Sequence, residues 1–202
     1  MSSTIRPLEP RDAAVTADLH IEGQPGTFLT SLGRRFLEAL YAQMAVSPYC
    51  FGYVAVDERG EVIGVVTGTT DSSAIFKELV LRKGYKLALP VLGSILRHPS
   101  LIRNVFQTLV YPSQTEIEPG ETEMLYLATR AERRGEGIGR ALWWAFADEM
   151  RAKGFRSLGL CVDEGNAHAV RFHERQGMTL KRKFTMYGRP FRWYVLSLEK
   201  QA

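Results

Sequence analysis

Between Arg133 and Leu142 the chain reads RRGEGIGRAL, three glycines within five residues running straight into an apolar segment. Glycine costs backbone entropy wherever it sits, so this clustering points to a backbone that bends tightly and leaves its N–H groups uncovered. Where a helix follows such a turn, its first N–H groups lack intrahelical acceptors and its dipole adds positive potential. The junction is then an anion site, with phosphate as its natural guest. Arg133, Arg134 and Arg140 add formal positive charge around it. The spacing argues against the common nucleotide loops, because no Lys-Ser/Thr pair follows the last glycine and G-x-G-x-x-G is absent; ATP and NAD are therefore not expected. Cys50 and Cys161 make neither a disulfide framework nor a metal-ligand spacing, so both read as buried thiols and no metal is expected.

The elements that must position this loop follow from pattern. With 202 residues, 45% of them hydrophobic and 24% charged, the chain suits a single domain over 1–202. The N-terminus carries no apolar run behind a basic start, and no segment offers the roughly 20 uncharged residues of a membrane span, which points to a cytoplasmic protein. Thr4 to Leu8 reads as a strand, Arg11 to His20 as a weakly amphipathic helix, and Ser31 to Ala45 as a clearer one built on Leu32, Phe36, Leu37, Leu40, Tyr41 and Met44. Cys50 to Val56 and Glu61 to Thr69 read as a hairpin, and EMLYLAT, Glu123 to Thr129, as a buried strand feeding the glycine loop. In the helix after the loop, Ile138, Ala141, Leu142, Ala145, Phe146 and Glu149 trace one side, and Lys153-Gly154 supplies its end. Arg156 to Val162 resumes as strand. A helix from Asn166 to Gln176 stops at Gly177, and a closing pair, Thr179 to Tyr187 and Phe191 to Leu198, turns around GRP.

The loop matches R-x-x-G-x-G, here Arg134-Gly135-Glu136-Gly137-Ile138-Gly139, and on these residues the sequence resembles the GCN5-related N-acetyltransferase (GNAT) superfamily. LYLATRAERRGEGIGRAL resembles the family's strand-loop-helix unit, and LGLCVDEGNAHAVRFHERQGM its next strand and Asn-x-x-Ala helix. With IRPLEPRD and the closing hairpin included, the likeness covers most of the chain except 72–115. It implies the acyl-CoA N-acyltransferase fold: an α/β protein with a mixed, mostly antiparallel splayed sheet flanked by helices, interrupted here by a helical insertion at about 72–115. It implies acetyl-CoA as acyl donor, with the pantetheine arm lying between the Glu123 to Thr129 and Arg156 to Val162 strands. That arm would pair with backbone groups along Leu127, Ala128 and Thr129, and the diphosphate would sit within Arg134, Gly135, Glu136, Gly137, Ile138, Gly139 and Arg140.

Acyl transfer to an amine needs a neutral nucleophile, a stabilised oxyanion and a proton for the departing thiolate. The resemblance assigns the oxyanion to the backbone amide of Leu127. The family usually places a tyrosine seven residues after the Asn of the last helix as the acid; this chain has His173 after Asn166. Seven residues is nearly two turns, so Asn166 and His173 would share a face about 10 Å apart along the axis, and with Ala169 between them that alignment fits one cofactor arm. A histidine of ordinary pKa, about 6.5, is mostly neutral at pH 7, so His173 reads either as the acid or as a partly buried ring packed near the sulfur. Asn166 reads as a cofactor contact, a helix N-cap, or both. Glu123 is the candidate base, with a strand-end surface glutamate as the plain alternative and Glu121 and Tyr126 as substitutes. Strict alternation puts Glu123 on the side of Leu125 and Leu127.

Residues 74–111 form a basic, amphipathic insert with Lys77, Arg82, Lys83, Lys86, Arg97 and Arg103 against Glu78 between 77 and 103, in helix-length blocks that Pro90 and Pro99 are expected to break. Such a segment suits a lid favouring an anionic acceptor such as a nucleotide-linked amino sugar, a peripheral membrane contact, or extra core helices. The expected partners are acetyl-CoA and an amine, without nucleic acid, in a monomer or homodimer. A protein N-terminal or lysine acetyltransferase and a catalytically silent acyl-CoA-binding regulator are the alternatives.

Overall fold

The computed structural model describes residues 3–79, 84–104 and 120–199. In chain order the elements are β1 (Thr4–Pro7), α1 (Ala13–Gly23), α2 (Phe28–Ser31), α3 (Arg34–Met44), β2 (Cys50–Val56), β3 (Val62–Thr69), α4 (Ser72–Lys77) and α5 (Gly84–Arg97). Then follow β4 (Glu121–Thr129), α6 (Ile138–Ala152), β5 (Ser157–Asp163), α7 (Ala167–Arg175), β6 (Thr179–Met186) and β7 (Arg189–Ser197). Seven strands form one sheet in the order β1-β2-β3-β4-β5-β7-β6, antiparallel everywhere except between β4 and β5.

The sheet is covered on both faces. On one, α6 buries Leu142, Trp143, Phe146 and Met150, and Val170 of α7 joins the same cluster. Each such side chain contributes about 1.5–3 kcal/mol by leaving water. Gly68 of β3 allows this approach: a Cβ there would lie 2.2 Å from Phe146 Cζ and 2.4 Å from the Glu123 carbonyl oxygen. The other face packs Leu19 of α1 and Leu37 and Tyr41 of α3 over Val65 and Tyr126. There α5 docks through Leu87, Val91, Ser94 and Ile95, and Ser94 Oγ donates to the Leu32 carbonyl at 2.9 Å.

The parallel pairing of β4 with β5 runs only from Glu121↔Ser157 to Met124↔Leu160. Beyond it β4 continues to Thr129 on β3, and β5 continues to Asp163 on β7. The sheet therefore splays between the two strands, as the family resemblance implies. At the same point the β3–β4 register passes from Thr67↔Tyr126 to Gly68↔Met124, leaving Leu125 as an extra residue in β4. Such a bulge bends its strand and breaks the alternation of its side chains.

Pro90 lies inside α5 rather than ending a helix; the docking of Leu87, Val91 and Ser94 outweighs the backbone bond its ring removes. The insert's helices at 72–77 and 84–97 match expectation, while its residues 80–83 and 105–115 lie outside the described residues. In α6, Ala141 is exposed and Trp143, Ala147 and Met150 are buried, so the core-facing side is turned from the expected one. The last hairpin turns at Tyr187-Gly188, both with positive φ (54° and 72°), and not around GRP; Arg189 and Pro190 already belong to β7. That is the backbone of a two-residue type I′ turn, which matches the twist of its strands. Cys50 and Cys161, expected to be buried, are half-buried in β2 and β5.

Candidate functional site

At the open end of the splay, β4 hands over to the glycine loop. Gly135 and Gly137 have φ of 89° and 83°, and a Cβ at either would meet nothing within 4 Å. Backbone conformation, not crowding, requires glycine at both. Gly137 is the N-cap of α6 without any side-chain cap, and its carbonyl accepts from Ala141 N–H at 3.0 Å. From Gly135 to Arg140 no backbone N–H finds an acceptor among the described residues, so six donors surround one helix start. Ile138 is buried and rests beside Gly64 of β3, fastening the loop to the sheet. Thr129 Cγ2 lies 3.7 Å from the Cβ position of Gly139, so the end of β4 adjoins the first turn of α6.

The arginines of the loop divide. Arg133 makes a two-pronged pair with Glu136, Nε to Oε1 at 2.6 Å and Nη2 to Oε2 at 2.8 Å, and stands 3.9 Å from Asp57. That pair holds the Glu136 carboxyl below its usual range. Arg134 and Arg140 are exposed and form no ion pair among the described residues, which leaves their charge for an incoming anion.

On the α6 face, Leu127 and Ala169 pack against the cluster that contains Trp143. His173 of α7 is 8% exposed, and Trp143 Nε1–H donates to its Nδ1 at 3.3 Å. Because an indole nitrogen only donates, Nδ1 is the acceptor and the neutral ring carries its proton on Nε2. Burial pushes the His173 imidazole down to about 4, so at pH 7 about one ring in a thousand is charged. Asn166 is the N-cap of α7, its Oδ1 accepting from Ala169 N–H at 3.0 Å, and is exposed; His168 is exposed as well.

On the opposite face stands Glu123, 1% exposed, with Ser72 Oγ donating to its Oε2 at 2.5 Å. The bulge at Leu125 corrects the alternation. Tyr126 and Ala128 pack on the α1/α3 cluster with Glu123 on their side, while Met124 and Leu127 pack on the α6 cluster. Tyr126 O–H donates to the Leu19 carbonyl at 2.9 Å, and burial raises its phenol well above the ordinary value, so it holds its proton at neutral pH. Glu121 accepts from Ser157 Oγ at 3.0 Å at the closed end of the strand pair, away from the splay. Beyond them Phe28 of α2 meets Tyr187 of the β6–β7 turn, ring centroids 5.2 Å apart, linking the helices beside β4 to the strands beyond β5. Among the described residues no three His, Cys, Asp or Glu side chains are grouped to hold a metal, and no helix is long and apolar enough to cross a membrane.

Trp143 and Ser72 are not singled out by the sequence. A buried indole N–H calls for an acceptor, but nothing in the chain names His173, thirty residues on, as that acceptor. Ser72 reads only as the polar end of a strand.

Over 67 residues the chain is 39% identical to the mycothiol acetyltransferase of Thermobispora bispora, a likeness covering 33% of this chain and 23% of that protein. The Escherichia coli ribosomal-protein-S18-alanine N-acetyltransferase has a similar structure, with a TM-score of 0.60 and 16% identity over 100% of this chain and 97% of that one. Arabidopsis thaliana NAA60, solved in complex with acetyl-CoA, gives 0.61 and 18% identity over 97% and 98%. These likenesses establish the fold, and the model of the acetyltransferase (GNAT) family matches residues 16–178. The splayed β4–β5 pair and its glycine loop lie within that span, and the chain belongs to the acetyltransferase (GNAT) family.

Proposed function

We propose that the protein is an acetyl-CoA-dependent N-acetyltransferase that passes an acetyl group directly to an amine. The observation that carries this reading is the run of six N–H groups from Gly135 to Arg140 without an acceptor among the described residues, at the open end of the β4–β5 splay, in a chain of this family. The cosubstrate's diphosphate would lie on those amides with Arg134 and Arg140 beside it, and its pantetheine arm along Leu127 to Thr129, whose backbone is unpaired toward β5. The Asn166–Ala169 turn would close the other side.

On this reading Glu123 takes one proton from the bound ammonium and returns it to solvent. The neutral nitrogen then attacks the thioester carbon, and the Leu127 N–H receives the developing oxyanion. When the C–S bond breaks, the nitrogen's remaining extra proton passes to sulfur. His173, neutral and protonated at Nε2, supports the departing sulfur as a hydrogen-bond donor; as an imidazolium it would be too scarce to act as the acid. The acceptor is an amine carrying negative charge, a class supported by the excess of Lys and Arg between 77 and 103. Leu92 and Leu96, 54% and 74% exposed on the outer side of α5, suit peripheral contact with a surface that presents such an acceptor.

The test is release of CoA thiol from acetyl-CoA across nucleotide-linked amino sugars, amino sugars, polyamines, amino acids and short peptides, with Gly137→Val as the blank. Release with the anionic amino sugars is the expected result. Release only with peptides would replace the acceptor class, and acetyl-CoA binding without release from any amine would favour a silent regulator.

A further inference from the structure

We propose that Ser72, the first residue of α4, is a positioning residue for Glu123, holding its carboxylate ionised and aimed for the acceptor amine; this rests on Glu123 serving as the base. A carboxylate 1% exposed is expensive to bury unless hydrogen bonds replace its water. Here one comes from a hydroxyl 51 residues away, itself 8% exposed, at 2.5 Å from Oε2.

The serine is held in place from several directions. Asp71 caps α4 by accepting from Ala74 N–H at 2.8 Å. The backbone N–H of Asp71 donates to Thr69 Oγ1 at 3.1 Å, and that hydroxyl donates to the Tyr49 carbonyl at 2.7 Å. Just past the helix, the buried Glu78 carboxylate accepts from Ser47 Oγ at 2.5 Å. Two serine–carboxylate bonds thus fasten α4 at its two ends, one of them on the candidate base. Apolar groups of the same shape in place of such a buried polar pair are often nearly neutral for stability, so stability alone does not call for the Ser72–Glu123 pair. A retained charge with a dedicated donor, on the β4 face opposite His173 and Trp143, fits a group kept for proton transfer. Helix α4 thereby begins at the chemistry: its first residue sets the state of the base.

The experiment uses full-length protein labelled with [δ-13C]glutamate and followed by NMR from pH 5 to 9, the Glu123 signal being assigned by its loss in Glu123→Gln. In Ser72→Ala the midpoint of that signal should move up by about one pH unit, the size expected on losing one hydrogen bond to a charged group. Ser72→Thr should restore it, and Ser72→Cys, a weaker donor, should fall between. With any amine of the panel that is acetylated, the acid limb of kcat/KM should move by the same amount while KM for acetyl-CoA stays unchanged. A midpoint in Ser72→Ala and Ser72→Cys that matches the parent protein would overturn the inference. A shifted midpoint beside undiminished turnover in Glu123→Gln would instead overturn the role of Glu123 as base, and the catalytic role of Ser72 with it.

Discussion

Two buried histidines make the stability of this protein depend on pH in a window that can be worked out. His20 is 2% exposed, its Nδ1 2.6 Å from the Tyr41 hydroxyl and its ring stacked on Tyr126; His173 is 8% exposed and holds Trp143. Burial pushes both rings down to about 4. In the unfolded chain each titrates near 6.5, so between pH 6.5 and 4 the unfolded state binds more protons and stability falls as pH falls. Above pH 6.5 neither ring contributes to this slope, and below pH 4 the loss is complete. A depression of about 2.5 units is worth about 3 kcal/mol per ring, hence about 6 kcal/mol for the pair, comparable with the whole stability of an ordinary domain. Urea unfolding followed by tryptophan fluorescence at pH 7, 6, 5 and 4 measures it. His20→Phe and His173→Phe each leave a polar partner unsatisfied and lower stability at pH 7, yet each should shrink the fall between pH 7 and 4 by about 3 kcal/mol. Parallel curves for parent and variants would refute the burial argument, and with it the account of His173 as a neutral donor.

The loop yields two further expectations. Gly137→Val forces a β-branched residue to φ near 83°, in open space; isothermal titration should show acetyl-CoA affinity reduced at least about tenfold, since this backbone directs the amides, and an unaltered Kd would remove the loop from the site. Arg134→Ala should weaken acetyl-CoA binding about three- to fivefold and flatten its salt dependence, because that charge is unpaired within the loop. Arg133→Ala should leave the salt dependence nearly as it is, because Arg133 already faces Glu136 and Asp57; equal effects of the two would refute the division.

How far the sequence shows all this depends on whether the cause is local. The hairpin Cys50–Val56 with Val62–Thr69, the end of α6 at Lys153-Gly154 and the Asn166 cap are written in neighbouring residues and appear where the pattern puts them. The glycine loop is legible for the same reason: positive φ, an uncapped helix start and arginines leave a compact signature. What escapes is set between distant segments. Pro90 within α5 is tolerated because α3 lies underneath, and Tyr187 in the last turn accepts positive φ while its ring rests on Phe28. The neutrality of His173 comes from burial and from Trp143 on another helix, neither of which spacing along α7 can express.

The bulge at Leu125 shows how one extra residue divides the labour of β4. In an unbroken strand Glu123 and Leu127, four residues apart, would point to the same side. With Leu125 looped out, Leu127 turns to the α6 cluster, where His173 and the proposed cofactor arm lie, while Glu123 stays on the face of Tyr126 and receives Ser72. The bulge also falls where pairing with β5 stops, so the strand that parts from its neighbour is the strand that changes face. An amine reaching the gap from the Glu123 side and a thioester lying in it from the Leu127 side would then meet across a single strand, each with its own proton-handling group. A regular strand presents two groups on opposite faces only at an odd separation, so the four-residue spacing of Glu123 and Leu127 does so only because of the bulge.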